Sequence, residues 1–163
     1  KRGLKTIVSD GCNIPLPDSS FDFAVSVASF QYVSKKSRRK FLSELKRVAR
    51  FGVVLYTPVD SSLKTEEKLH SFRNSIHYPD PWLEMELKAG LPNLSIIKSE
   101  FLRAKIYGIQ NREVWYKIMV LESIPVLNLF IPGIFYALFL RHYDRGNPIA
   151  YVVSWNKQRI VKK

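Results

Sequence analysis

A chain of 163 residues, 46% of them hydrophobic, is one domain's worth, long enough to bury a real core and too apolar to be a disordered segment. Its 26 Lys and Arg against 14 Asp and Glu give a formal net charge of +12, which favours anionic partners without naming one. Cys12, the single cysteine, excludes an intramolecular disulfide and a thiolate metal site; it fits a reducing, cytoplasmic setting, and the opening is too polar for a secretory signal.

From Val8 to Pro58 the pattern alternates strand, loop, strand, helix, strand. A buried strand is expected to end at Asp10 and Gly11. A Pro15-Leu16-Pro17-Asp18 turn follows, and Phe21-Asp22 opens a second apolar run, Phe23 to Ala28. An amphipathic helix is predicted from Ser37 to Ala49, with Phe41, Leu42, Leu45 and Val48 on one face and Gly52 as its stop. A third strand, Val53 to Tyr56, ends at Pro58. Alternation of this kind predicts an α/β fold whose parallel sheet binds ligands at the carboxyl ends of its strands. Asp10, Ser26 to Ser29 and Thr57 to Asp60 fall at those ends.

Further along, helices are predicted from Leu63 to Asn74 and from Asp80-Pro81-Trp82 to Ala89, the second stopped by Gly90. Asn93 to Leu102 reads as a strand carrying Leu94, Ile96 and Ile97. The most apolar stretch runs from Val114 to Leu140. Ser123 to Leu140 holds eighteen residues without a charge, but Pro125, Pro132 and Gly133 interrupt it, so helices packed as a cap are expected rather than a membrane span. Ile149 to Trp155 alternates as a last strand should.

The motifs from Asp10 to Gly52 closely resemble the second half of a class I S-adenosylmethionine-dependent methyltransferase of the type 11 kind. They are Asp10-Gly11, the run Ile14-Pro15-Leu16-Pro17-Asp18-Ser19-Ser20-Phe21-Asp22, Tyr32-Val33, Arg47-Val48-Ala49 and Phe51-Gly52. The resemblance implies a Rossmann-like sheet, truncated at the N-terminus, with a helical apolar insertion before a last antiparallel strand. It divides the chain into core strands and helix over 1–60, helices and a strand over 61–102, an apolar helical insertion over 103–147, and the last strand with a basic tail over 148–163. The seven glycines are scattered with no Gly-x-Gly, so the family's glycine-rich loop has no counterpart here. The chain is therefore expected to be a fragment that binds the cofactor poorly by itself, with Thr6 to Ser9 either unpaired or abnormally paired to Phe23 to Val27.

The same resemblance implies S-adenosyl-L-methionine as cofactor. Asp10 would accept from the adenine amine, the backbone of Gly11 and Cys12 would meet the ring edge, and Ser26, Val27 and Ala28 would lie beneath the sulfonium. A carboxylate suits an amine donor, and glycine lets a ring approach. The family often has His where Tyr32 stands. His70, His77 and Tyr78 lie in a presumed lid, but no catalytic base and no metal site is identified.

The acceptor is read as a small-molecule or lipid-linked substrate, such as a glycan precursor. The grounds are the apolar segment and its basic rim of Arg141, His142 and Arg145, which also suggest peripheral membrane contact. Eight basic residues between Lys35 and Arg50 make a solvated helix face or, more weakly, a nucleic-acid surface. The alternatives are a nucleic-acid methyltransferase and a non-catalytic domain that binds a partner through its apolar insertion.

Overall fold

The structure is a computed structural model that describes residues 5–125 and 147–157. Among the described residues four strands and five helices follow in the order β1 (Phe21–Val27), α1 (Arg38–Val48), β2 (Ala49–Pro58), α2 (Leu63–Ser75), α3 (Pro81–Ala89), α4 (Leu94–Glu100), β3 (Lys105–Asn111), α5 (Arg112–Glu122) and β4 (Pro148–Asn156). Single 3-10 turns occupy Phe30–Tyr32 and Asp60–Ser62. The sheet order is β1-β2-β4-β3. β1 and β2 run parallel, and β4 runs antiparallel to both β2 and β3. This is the mixed α/β architecture expected, with its last strand antiparallel.

The core lies on one face of the sheet. Ala24, Val53, Leu55 and Val153 project to that side and meet Phe41, Leu42 and Leu45 of α1, with Ile97 of α4 and Phe101 beyond it. Each of the Val, Leu, Ile and Phe side chains here contributes about 1.5–3 kcal/mol by leaving water. The alternate residues of β1 project the other way. Phe23, Val25 and Val27 are 56–63% exposed, so the strand is clothed on one side only.

Three expectations need correction. Residues 5–10 form no strand and are exposed, so the buried strand expected to end at Asp10 is absent and Thr6 to Ser9 lie unpaired. Asn93 to Leu102 is not a strand. The Asn93 side chain accepts from Ser95 N at 2.7 Å and caps α4, while Ile97 and Phe101 recur at helical spacing and are buried. The next strand comes later, as β3. The segment 103–147 therefore opens with a strand of the sheet before turning helical at α5, whose cap is Asn111. Residues 126–146, including most of Ser123 to Leu140 and the basic rim, lie outside the described residues. Among the described residues no helix is long and apolar enough to cross a membrane.

Much of the basic run between Lys35 and Arg50 is committed to the fold. Arg38 is 2% exposed and donates to the carbonyls of Val33, Leu91, Ala89 and Gly90, which ties α1 to the loop after α3. Lys46 reaches the Glu100 carbonyl at 2.9 Å and lies 5.6 Å from the Trp155 ring. Arg50 pairs with Asp22 at 3.0 Å.

Candidate functional site

Beyond the carboxyl end of β1 lies an open cleft of about 810 Å³. Its walls bring together the Ser9–Cys12 loop, Val25 to Val27 of β1, and the stretch from Ser29 to Ser37 that leads into α1. Its volume falls within the usual range for small-molecule and cofactor sites. Five of the six residues expected to seat a cofactor, Asp10, Gly11, Cys12, Ser26 and Val27, line it. Ala28 lines a neighbouring cavity instead.

The loop carrying Asp10 is held from below by α1. Arg47 donates through Nε and Nη2 to the two oxygens of Glu44, both at 2.8 Å. Its remaining donors reach the Ile14 and Leu16 carbonyls and Asp18. Glu44 in turn accepts from Ile14 N at 2.8 Å. Side chains of α1 thus anchor the Ile14 to Asp18 turn, and with it the loop that precedes it. The hydrogen bonds from Arg47 and Ile14 lower the Glu44 carboxyl to about 2.

Within the loop, Asp10 caps its own turn. Its Oδ1 accepts from Cys12 N at 2.8 Å and from Asn13 N at 3.1 Å. Gly11 N donates to Ser9 Oγ at 3.1 Å. The amides of Gly11 and Cys12, expected to meet a ring edge, are therefore engaged inside the turn, whereas no described group donates to Asp10 Oδ2. Gly11 has φ +74° and lies against Phe41, where a Cβ would stand 2.4 Å from the ring. Cys12 is buried beside Ser37, and burial, with Asp10 second, raises its thiol. It is not poised as a thiolate.

At the strand end, Ser26 is 6% exposed and its Oγ has no partner among the described residues. Ala28 follows with φ +47°, a left-handed conformation that costs a non-glycine residue about 1–2 kcal/mol, and its N–H donates to the Tyr56 carbonyl. This kink turns the chain sharply from β1 into Phe30–Tyr32. Tyr32 lines the cleft and meets Trp82 edge-on at 6.1 Å. Burial first, then the charge of Glu86, raises its hydroxyl.

An S-adenosyl cofactor fits this donor set. An acceptor oxygen at Asp10, the orphaned Ser26 hydroxyl and the apolar walls of Val25, Val27, Val33 and Phe41 suit a nucleoside with a polar tail. The lid residues do not join it. His70 bonds Asn74 at 3.1 Å, His77 is exposed, and Tyr78 lies under Arg73 at 5.0 Å. Two residues that sequence reasoning missed, Glu66 and Glu86, are buried close by. Glu66 shares the inward face of α2 with Leu69 and Arg73 at i, i+3 and i+7, which is the signal that would have found it. Among the described residues no cluster of His, Cys, Asp and Glu could hold a metal ion.

Comparison with known proteins finds a family match over the first third of the chain. Residues 1–57 match the family model described as "Methyltransferase domain". No curated protein matches the chain. Among solved structures, the MccD protein aligns at 15% identity and a TM-score of 0.43, over 92% of this chain and 66% of that one. The YcgJ protein from Bacillus subtilis aligns at 18% identity and a TM-score of 0.42, over 90% and 65%. The chain thus spans just under two thirds of the length of either structure. Over its first 57 residues, from the Asp10 loop into β2, the chain is similar to the methyltransferase-domain family.

Proposed function

We propose that the protein transfers a methyl group from S-adenosylmethionine to an acceptor that enters beside the exit of β1. The observation that carries this reading is the convergence of Asp10 to Cys12 with Ser26 and Val27 on one cleft, inside the segment that matches the methyltransferase-domain family. Asp10, through its open Oδ2, would hold the adenine end beside Gly11, and Ser26 and Val27 would lie at the sulfonium end. The bound sulfonium supplies an activated methyl group. The chain's own part is to orient it, with the Arg47–Glu44 pair fixing the loop and the Ala28 kink fixing the strand end.

The acceptor class expected from the sequence, a lipid-linked or glycan precursor, belongs to this proposal, and co-sedimentation with anionic liposomes tests its membrane part. The nucleic-acid alternative loses support from Arg38, Lys46, Arg47 and Arg50, whose charges are spent on intramolecular contacts. Calorimetric titration of the full-length protein with S-adenosylhomocysteine tests the main reading. Saturable binding that weakens in Asp10→Ala supports it, and absence of binding overturns it.

A further inference from the structure

A second cavity, of about 150 Å³, lies on the other side of the β1 exit turn. Gln31 lines it from the turn, Tyr56 from β2, Glu66 from α2, Glu86 from α3 and Trp115 from α5. Glu66 and Gln31 are each 3% exposed and Glu86 is 9% exposed. Two carboxyl groups from different helices thus share one small space.

Its hydrogen bonding is lopsided. Glu66 Oε1 accepts from Ser62 Oγ at 2.7 Å, but Glu66 Oε2 is buried without a donor among the described residues. Gln31 Oε1 is buried and unpartnered too. Orphaned buried groups cost about 1–3 kcal/mol each, so two of them on one cavity wall require an explanation. Arg112 moderates Glu66 electrostatically, yet its Nη2 donates to the Pro148 carbonyl at 3.2 Å. Arg112 Nε is likewise buried without a partner among the described residues, and Trp115 and Tyr56 bring an N–H and a hydroxyl to the wall, so the open acceptors of the cavity are Glu66 Oε2 and Gln31 Oε1. An anion would be repelled here. A hydroxyl offers one donor, an ammonium three, and the faces of Trp115 and Tyr56 favour a cation further.

We propose that this cavity receives the amino group of the methyl acceptor, held by Glu66, Glu86 and Gln31, so that the substrate is an amine. The inference rests on the methyl-transfer reading of the adjoining cleft, which shares the turn from Ala28 to Tyr32 with this cavity. The volume suits an aminoalkyl end rather than a whole acceptor. Once the bound ammonium has given up a proton, the nitrogen lone pair attacks the sulfonium methyl carbon, and the S–C bond breaks with its electron pair left on sulfur. The surplus proton of the ammonium passes to a glutamate carboxylate. Burial raises Glu66 to about 7, and burial with the charges of Glu66 and Asp80 raises Glu86 to about 8, so both groups exchange protons near neutrality.

The test compares n-propylammonium with n-propanol on the full-length protein at pH 8. Its readout is the Trp115 indole N–H and the Gln31 side-chain amide in nitrogen-15 NMR spectra. Saturable shifts with the ammonium and none with the alcohol are expected. In Glu66→Gln and Glu86→Gln, both close in shape to the original, the affinity is expected to fall at least about tenfold, the equivalent of about 1.4 kcal/mol. Equal response to the two probes, or unchanged affinity in both variants, overturns the amine site. The probe comparison on the unaltered chain stands even if a variant misfolds. S-adenosylhomocysteine titrated into the same sample separates the two claims. If it binds while propylammonium does not, the amine site falls and methyl transfer stands. If propylammonium binds while it does not, the cavity stands as an amine site and methyl transfer falls.

Discussion

Arg47 holds Glu44 side-on, Nε to Oε1 and Nη2 to Oε2, each at 2.8 Å. The same guanidinium reaches the carbonyls of Ile14 and Leu16, so one side chain of α1 fastens a turn that has no strand to fasten it. Replacing Arg47 with Ala removes these donors together. Arg47→Ala is expected to speed amide exchange across Ile14 to Ser19 and to weaken S-adenosylhomocysteine binding, while the exchange of β2 and β4 stays slow. Exchange mass spectrometry checks this, and uniform acceleration over the whole sheet would contradict it.

Acid should release the same turn. The Glu44 carboxyl falls from its ordinary 4.5 to about 2, so its ionised form is favoured by the fold. The stabilisation is present above pH about 4.5 and is lost as the pH falls through about 2. The Ile14 amide, which donates to Glu44 Oε2, is expected to lose protection in that window. In Glu44→Gln this step should vanish, as amide exchange measured from pH 5 to pH 2 would show.

Gly11 meets two demands at once, a φ of +74° and an approach to Phe41 that leaves no room for a Cβ. Phe41 cannot yield freely, because its ring packs against Phe30 with centroids 5.6 Å apart and Phe30 is fully buried. Gly11→Ala is expected to destabilise the domain by about 1–3 kcal/mol. Urea titration should show a lower midpoint with an unchanged slope.

Glu66 and Glu86 give stability the opposite pH dependence. Their carboxyls rise in the folded state to about 7 and about 8, so the fold binds protons that the unfolded chain releases. The neutral forms carry full stability below pH about 4.5, and it declines as the pH rises through 7 to 8. Arg112 faces Glu66 and offsets part of this, while Asp80 adds to the effect at Glu86. Glu66→Gln is expected to melt higher than the unaltered chain at pH 8.5 and about equally at pH 5. Thermal unfolding at the two pH values decides the matter.

The order of elements from Phe21 to Ala89 was legible because periodicity and caps agree there. In α1, Phe41, Leu42, Leu45 and Val48 are all buried, and in α3 Asp80 caps a helix that Gly90 ends with φ +70°. Agreement failed at Leu94 to Ile97, where a cluster of branched residues suggested a strand. Asn93 and the burial of Ile97 and Phe101 belong to a helix. β3 was hidden because its most buried residue is Gln110 and a glycine sits at its middle, so no apolar alternation marks it. Val8 carries a strand-like side chain yet is 95% exposed, since backbone in that register needs a neighbour to bond. Asp10 and Ser26, singled out through the family resemblance, come together on one cleft. Glu66 was overlooked because the helix face it shares with Leu69 also carries the polar Arg73, so apolar periodicity marks that face only weakly.

β4 occupies the middle of the sheet although it comes last in the described chain. Val54 pairs with Ser154, one hundred positions downstream, and the same Ser154 pairs with Lys105. Until that segment arrives, β2 and β3 have no common neighbour, and each leaves a row of amides and carbonyls facing water. On the ribosome this segment therefore enters as a wedge rather than as an addition at the rim. Contacts this distant in sequence slow the closing step and leave its two flanks open to pairing with foreign strands in the meantime.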